Sequence, residues 1–463
     1  MEAIQNFLLP IVQSINTYLT DYVLIFLLVG VGLYYSIRTR FVQIRCFGEG
    51  AKKVFGNISL RGGKQKGGLS SFQALATAIA AQVGTGNIVG ACGAILVGGP
   101  GAIFWMWVIA FFGMATIYAE AVLAQDTRIV DKDGEVLGGP VYYIKKAFKG
   151  GFGKVLAVFF AVAAIIALGF VGSMVQSNSI AGAVSNAIPA IQPWMIGAAL
   201  AVICAIIFIG GVQRIASVAE KIVPVMAILY LLLGLVVIIV NITKIPATFG
   251  MIFKYAFVPQ SLAGGIFGVT LKTAISQGAK RGLFSNEAGM GSTPHAHAQA
   301  KVEKPHDQGV VAMMGVFIDT FVVLTMTALV VISTFYTSDE GIANLALLNK
   351  NTLMQAAMGT VFGTGLGKIL VAICLTFFAF TTIIGWNFFG KQNMEYLFGK
   401  KSTVVYSIIA VVFVFLGSLF QNDLVWELTD TFNYLMVLPN ALALIVLGSI
   451  VAKAAKNKKN DLK

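Results

Sequence analysis

The strings GTGN, at Gly84–Asn87, and SNEAGMGSTP, at Ser285–Pro294, each interrupt a long apolar segment of this 463-residue chain. Every backbone N–H and C=O group inside a bilayer needs a hydrogen-bond partner, so a helix broken at membrane depth lines a cavity or binds something. Paired breaks at corresponding positions of two halves of a chain are typical of the binding site of a secondary transporter.

The composition indicates an integral membrane protein. Hydrophobic residues make up 57% of the chain and charged residues only 11%, whereas ordinary soluble domains carry about 25% charged residues. The net charge of +13 is not accompanied by any nucleic-acid-binding motif, and no nucleic acid partner is expected. Four scattered cysteines and three histidines argue against a disulfide framework or a zinc site.

About eleven segments reach the length of roughly 20 apolar residues that a spanning helix needs. Their centres lie near Phe26, Gly84, Phe111, Leu168, Ile203, Leu232, Gly278, Val323, Phe378, Val412 and Leu444. The predicted organisation has four parts: an extra N-terminal helix and cytoplasmic loop (1–68), a first five-helix repeat (69–245), a second repeat (260–455) and a basic tail (456–463).

The Lys and Arg residues predict the orientation, because basic residues concentrate in cytoplasmic loops. Most of the 33 basic residues fall in alternate loops and in the tail, and the opposite loops hold only Lys244, Lys254, Lys350 and Lys368. We therefore expect the N-terminus outside and the C-terminus in the cytoplasm.

The two interrupted segments also begin with the same three residues, TAI. The second reads TAIAAQVGTGNIVGACG from Thr77, and the seventh reads TAISQGAKRGLFSNEAGMG from Thr273. Each opens a run of five helices, and an odd number gives the two runs opposite polarity. The predicted fold is an all-α membrane protein with a five-plus-five inverted repeat and one additional N-terminal helix.

The GTGN break predicts two kinds of ligand. Glycine lets the backbone leave helical geometry, and the freed N–H groups of Thr85 and Gly86, at the start of a half-helix, favour a carboxylate. The carbonyls of Ala80 and Val83, left without helical partners, suit a small hard cation. The alternative is close helix packing through small residues.

In the seventh segment we expect the unwound stretch at 276–282, where carbonyls around Ser276 and Gly278 would accept bonds from an ammonium group. Arg281 and Glu287 lie nearby, and charges at membrane depth usually face a partner or water. A structural ion pair or a cytoplasmic-side gate is favoured for these two over direct substrate contact.

Two further carboxylates fall within spanning segments. Asp319 is a candidate for cation or proton coupling, since it lies two to three turns into the eighth helix. Glu120 could act in the same way, although its place near the inner end of its helix makes an interfacial position at least as plausible.

The ninth segment carries Thr381, Thr382 and Trp386. The threonine hydroxyls could complete a sodium shell begun by the Ala80 and Val83 carbonyls, or simply bond back to their own helix. Trp386 could close over a small substrate, or lie at the membrane interface near Lys391.

The fourth segment supplies three further candidates for the substrate pocket. Gln176 and Asn178 are neutral polar groups that could hydrogen-bond a zwitterion without a net charge cost. Phe170, lower on that helix, could be the apolar lid.

These motifs resemble those of the alanine-or-glycine:cation symporters, within the amino acid–polyamine–organocation superfamily. GTGN, GGPVYYI at Gly138–Ile144, RGLFSNEAGMGSTPHAHA at Arg281–Ala298 and the helix of Trp386 carry the resemblance. It implies a LeuT-type fold and uptake of alanine and glycine coupled to sodium or protons, with Na+ as the co-transported ion and no other cofactor. It places Thr85, Gly86, Gln176, Thr382 and Trp386 in the substrate pocket, and Ala80, Val83, Thr381 and Thr382 at the sodium site.

The leading hypothesis is a sodium-coupled alanine and glycine symporter in the bilayer of a bacterial or archaeal cytoplasmic membrane, without an obligate protein partner. Proton coupling, or transport of a nucleobase or larger amino acid, remains the alternative. A channel would need a selectivity filter or an oligomeric pore. A membrane enzyme would need a nucleophile–base pair or a metal cluster, and the sequence pattern indicates neither.

Overall fold

The computed structural model of the chain describes residues 2–56, 69–132, 134–258, 270–420 and 422–456. Part of the loop predicted after the first helix, the start of the second repeat at residue 260 and nearly all of the tail predicted at 456–463 lie outside these ranges.

The first helix and two short helices precede the repeats. Helix α1 (Phe7–Arg38) is long and apolar enough to span a bilayer, and it is followed by α2 (Val42–Arg45) and α3 (Phe47–Phe55). We call the side on which α1 begins the N-terminal face and the side on which it ends the C-terminal face.

The first repeat starts with a bent pair of helices. Its elements are α4 (Ser71–Gln82), α5 (Gly86–Gly98), α6 (Gly101–Thr127), β1 (Ile129–Val130), β2 (Val136–Leu137), α7 (Pro140–Ala147), α8 (Gly150–Ala187), α9 (Pro193–Ile209) and α10 (Gly211–Val240). A capping box sets the start of α4, because Ser70 Oγ accepts the Gln73 N–H at 3.0 Å while Gln73 Oε1 accepts the Ser70 N–H at 3.1 Å.

After the connecting helix α11 (Ile245–Tyr255), the second repeat also starts with an interrupted pair. Its elements are α12 (Leu271–Asn286), α13 (Pro294–Ala298), α14 (Pro305–Phe335), α15 (Asp339–Leu345), α16 (Leu353–Phe362), α17 (Thr364–Phe398), α18 (Ser402–Gly417) and α19 (Asn422–Val446). The amphipathic helix α20 (Gly448–Lys456) follows on the C-terminal face.

The two repeats have opposite polarity. In the first, the hairpin β1–β2 and α7 lie between the second and third spans, on the C-terminal face. In the second, α15 and α16 occupy the equivalent connection on the N-terminal face. This inverted arrangement, with α1 outside both repeats, confirms the predicted fold class.

The eleven predicted segments all coincide with helices, but not all are full-length spans. Within the described ranges, seven helices are long and apolar enough to cross a bilayer, or eight if α4 and α5 count as one span. Helices α9 and α18 are shorter, and the seventh segment is divided into α12 and α13. The number of crossings therefore does not follow from helix length alone.

Candidate substrate and cation site

The break in the second span lies at Val83–Thr85, as the sequence predicts. Val83 leaves helical geometry at φ −79°, ψ 87°, and the axes of α4 and α5 differ by 47°. A Cβ on Gly84 would lie 2.4 Å from Thr382 Oγ1, so only glycine fits against α17. Asn87 Oδ1 accepts the Gly84 N–H at 3.0 Å and so satisfies one backbone group that the break frees.

The break in the seventh span is not where the sequence indicates. Residues 276–282 are helical, and the chain leaves the helix only at Glu287, which has a φ of 58°. Gly289 and Gly291 follow at φ +90° and +81°, values that favour glycine. The prediction of an unwound stretch at 276–282 was therefore wrong, and the SNEAGMGSTP string itself forms the break.

A buried carboxylate holds the second break in place. Glu120 on α6 accepts the N–H groups of Gly289 and Gly291 at 3.2 and 3.0 Å, and the Asn440 side-chain amide at 2.6 Å. Glu120 is fully buried within the protein, so its carboxylate does not face solvent. Its carboxylate instead satisfies backbone N–H groups that have left the helix.

A second buried carboxylate joins the two breaks. Asp319 accepts the Asn87 amide at 2.6 Å, the Ser285 hydroxyl at 2.9 Å and the Thr320 hydroxyl at 2.8 Å. Asn87 follows the break in the first repeat, and Ser285 precedes the break in the second. Asp319 thus bonds to a residue at each of the two breaks.

Two unpartnered polar atoms lie beside the first break. Gln176 Oε1 on α8 accepts the Thr85 N–H at 3.2 Å. Thr85 Oγ1 and Gln176 Nε2 are both buried, yet neither has a hydrogen-bond partner among the described residues. Buried polar atoms without a partner are costly, so these two are candidates for binding a polar ligand.

Aromatic rings limit the space around these atoms. A Cβ on Gly86 would lie 3.0 Å from Phe284 Cδ1 and 3.0 Å from Ser285 Cα. Phe284 packs edge-on against Trp386 with ring centroids 5.9 Å apart, and Trp386 also lies against Gly172 of α8. A ligand at this place meets glycine backbone on one side and aromatic rings on the other.

Glu287 contacts Trp386 rather than a basic residue. Its Oε1 accepts the indole N–H of Trp386 at 2.5 Å, and its Oε2 accepts the Ser292 hydroxyl. The ion pair with Arg281 is not formed, because Glu287 lies beyond the end of α12 while Arg281 projects from the helix before the break. Trp386 is 1% exposed, so its indole ring does not face the membrane–water interface.

The threonines of α17 meet the backbone of α4. Thr382 Oγ1 lies 3.0 Å from the Ala80 carbonyl oxygen and 3.2 Å from that of Ala81. Thr381 Oγ1 bonds back to the Phe377 and Phe378 carbonyls at 3.0 and 2.9 Å. Both hydroxyls are fully buried, and that of Thr382 bridges the two repeats beside Val83.

Four predicted substrate residues lie elsewhere. Phe170 stacks on Phe413 at 4.9 Å, facing α18. Asn178 donates to the carbonyls of Gly417 and Phe420 at 3.0 and 2.7 Å. Successive helical residues are about 100° apart, so Gln176 and Asn178 point about 200° apart and cannot face one pocket.

The other two are packing residues of α12. Ser276 donates to Asp21 Oδ1 at 2.8 Å. A Cβ on Gly278 would lie 2.4 Å from Trp105 Cβ on α6. Because α12 stays helical here, the carbonyls of both residues lie in an intact helix, and neither residue reaches the pocket.

Arg281 belongs to an ion-pair network that the sequence reading missed. It lies 3.1 Å from Asp430 Oδ2 and 4.8 Å above the ring of Trp426, while Lys280 pairs with Glu427 and Asp430 at 3.2 and 3.1 Å. The network lies between the breaks and the N-terminal face, and Arg281 pairs there with Asp430 rather than with Glu287. The sequence does contain a signal for this network, because Glu427 and Asp430 are two acidic residues three positions apart in an apolar segment.

The C-terminal face carries a cavity. A cavity of about 410 Å³ opens on the C-terminal face between the β1–β2 hairpin, the start of α10 and α17. Phe388 and Gln392 line it, and Phe388 is two residues beyond Trp386. Ion pairs and aromatic rings lie between the breaks and the N-terminal face, and the cavity lies on the C-terminal face.

Two interrupted helices that face each other within a bundle of apolar spans define a multi-pass membrane transporter. The fold is similar to that of a solved structure, MhsT in complex with L-phenylalanine, with a TM-score of 0.56, 14% sequence identity and coverage of 85% of this chain and 98% of that one. Residues 5–463 match the sequence profile of the sodium:alanine symporter family, and the chain belongs to this family.

Several curated relatives match over almost the whole chain. The sodium/alanine symporter AgcS of Methanococcus maripaludis is 41% identical, covering 98% of each chain. The putative sodium/proton-dependent alanine carrier YrbD of Bacillus subtilis is 40% identical over 98% of this chain and 93% of its own. The probable sodium/glutamine symporter GlnT of the same organism is 37% identical over 98% of this chain and 91% of its own.

Proposed function

We propose that the protein takes up alanine and glycine by sodium-coupled symport and alternating access. It would lie in the cytoplasmic membrane of a bacterium or archaeon with its N-terminus outside and its C-terminus inside. The observation that carries the proposal is the meeting of the two breaks around the buried, unpartnered Thr85 Oγ1 and Gln176 Nε2.

The amino acid would bind with its carboxylate at the start of α5. The backbone N–H groups and the positive end of the half-helix attract an anion there, and a basic side chain is not required. In this proposal Phe284 and Trp386, whose rings are in contact, would limit the substrate side chain to a hydrogen or a methyl group. A pocket of this kind discriminates a missing methylene by about 1–3 kcal/mol, so glycine should bind more weakly than alanine.

The sodium ion would bind where α17 meets α4. Ala80, Val83, Thr381 and Thr382 would supply carbonyl and hydroxyl oxygens, the ligands that hard cations prefer. The Thr382 hydroxyl already lies 3.0 Å from the Ala80 carbonyl oxygen, so a small shift of α17 would let both oxygens point at one ion.

The direct test is uptake of labelled alanine into proteoliposomes under a sodium gradient. Uptake that follows the gradient, with competition by glycine but not by leucine or glutamine, is the expected result. Uptake that follows an imposed pH gradient without sodium would establish the proton-coupled alternative, and full competition by glutamine would point to a larger substrate. If alanine does not enter under either gradient, the proposal is wrong.

A further inference from the structure

Three side chains with metal-binding atoms meet on the C-terminal face, away from both breaks. They are Cys46, Glu49 and His306, and their ligand atoms all lie within 4.8 Å of one another. Cys46 directly precedes α3, Glu49 is in its first turn, and His306 is the second residue of α14. The sequence does not show this cluster, because the histidine lies far along the chain from the other two residues.

The backbone brings the three residues together by close packing. Cys46 and Glu49 are three positions apart and share one side of α3. A Cβ on Gly50 would lie only 2.7 Å from the Val310 carbonyl oxygen, so α3 presses directly on α14. Lys53 pairs with Asp307 at 2.9 Å and holds the same two helices in register.

The imidazole of His306 is oriented as in a metal ligand. Its Nδ1 lies 2.7 Å from the hydroxyl of Tyr118 on α6, which turns Nε2 towards Glu49. Histidines that bind metals usually have their other ring nitrogen hydrogen-bonded in this way, and the bond fixes the ring. Tyr118 is thus a positioning residue.

The separation of His306 Nε2 and Glu49 Oε1 fits a tetrahedral ion. Ligands about 2.0 Å from zinc lie about 3.3 Å from each other at the tetrahedral angle, and His306 Nε2 lies 3.5 Å from Glu49 Oε1. Thiolate, imidazole and carboxylate together suit zinc better than magnesium or calcium, which prefer oxygen ligands alone.

We propose that Cys46 Sγ, a carboxylate oxygen of Glu49 and Nε2 of His306 bind one divalent transition-metal ion of the zinc class, with water as the fourth ligand. The thiol of Cys46 releases its proton to solvent as the metal–sulfur bond forms. The side chain of Glu49 is 22% exposed and provides access. The bound ion links α3 to α14, the span that carries Asp319.

The test uses the purified full-length protein in detergent, under reducing conditions and without chelators, with Co²⁺ as a spectroscopic probe. We expect one cobalt ion per chain and a thiolate-to-cobalt charge-transfer band that zinc abolishes by displacement. Cys46→Ala should remove the band. Cys204→Ala, which changes a cysteine buried between other helices, should leave it unchanged and serves as the matched control.

Two further variants keep the outcome decisive if Cys46→Ala does not fold. Glu49→Gln changes a partly exposed side chain and should weaken zinc affinity. Tyr118→Phe removes the bond to Nδ1 and should weaken it about 10- to 100-fold while the charge-transfer band persists at saturating cobalt. A wild-type protein without the band, or equal zinc affinity in Glu49→Gln and wild type, would show that the cluster is only a hydrogen-bonded contact between helices.

Discussion

The structure leaves no room for a side chain at Gly84. It does leave room for one at Gly90, six residues further along the chain. A Cβ on Gly84 would lie 2.4 Å from Thr382 Oγ1, and a Cβ on Gly90 would meet nothing closer than 3.8 Å. The first distance is a clash and the second an ordinary contact. The two positions therefore separate a glycine that the site requires from one that could be alanine.

We predict that Gly84→Ala abolishes alanine uptake in proteoliposomes, because the new methyl group pushes α17 away from α4. Gly90→Ala should keep most of the wild-type rate and is the matched control. The measurement is initial uptake at equal reconstituted protein. Near-normal uptake by Gly84→Ala would mean that the contact between Gly84 and Thr382 is not needed for transport.

The two threonines of α17 should differ in their effect on sodium. Thr382 Oγ1 already contacts a carbonyl of α4, whereas Thr381 bonds to its own helix. We expect Thr382→Ala to raise the sodium concentration for half-maximal uptake by about tenfold, which corresponds to about 1.4 kcal/mol. Thr381→Ala should raise it less.

The measurement is uptake against sodium concentration at saturating alanine. An unchanged sodium dependence in Thr382→Ala would remove this hydroxyl from the ion site. A larger effect of Thr381→Ala would reverse the order of the two ligands.

The sequence predicts part of the site because some of its signals are local. The break at GTGN follows from an apolar segment interrupted by glycine and an amide, and Gln176 contacts this break through the Thr85 N–H. The predictions for Asn178 and Phe170 were wrong because these residues are two and six positions from Gln176, and the helical rotation points their side chains in other directions. The mixed polarity of α8 does not show which side of this helix faces the site.

At the scale of elements, the glycines of the seventh span have two different uses. Gly278 allows α12 to pack closely on α6, whereas Gly289 and Gly291 adopt positive φ in the break. Both uses require glycine, so the sequence does not distinguish them. For this reason the break was predicted at 276–282, before its actual position. The overall order of helices was predictable because long apolar runs in a sequence indicate membrane-spanning helices.

The break between α12 and α13 should depend on the charge of Glu120. Glu120→Gln places an amide N–H₂ group among the Gly289, Gly291 and Asn440 donors. Leaving a buried donor unsatisfied costs about 1–3 kcal/mol, so we predict a lower thermal unfolding midpoint in detergent. Glu303→Gln, at an exposed loop position, is the control. Equal midpoints for both variants would show that the carboxylate does not support the break.

At the scale of the whole molecule, the ion-pair network of Lys280, Arg281, Glu427 and Asp430 lies between the breaks and the N-terminal face, and we expect it to close the path from that face. Asp430 is 1% exposed in its side chain and contacts both Lys280 and Arg281, whereas Asp423 is 66% exposed and pairs with Lys350. Buried pairs lose several kcal/mol when one partner is removed, but exposed pairs contribute little. The two aspartates should therefore differ in their control of opening.

We predict that Asp430→Asn shifts the protein towards a form open to the N-terminal face, while Asp423→Asn does not. The readout is the labelling rate of Phe284→Cys by a membrane-impermeant thiol reagent added from that side, and we expect a several-fold increase with Asp430→Asn. Equal labelling of both aspartate variants would mean that the buried network does not close this path.

The bond between Asn87 and Asp319 also has a consequence for biosynthesis. The two residues are 232 positions apart, and chains are made at about 5–20 residues per second. Asp319, the carboxylate partner of Asn87, is therefore synthesised roughly 12 to 46 s after Asn87. During that interval the Asn87 amide must find another acceptor, in the translocation machinery or in water. The first repeat thus cannot reach its final form during its own insertion, and the two halves complete their folding together.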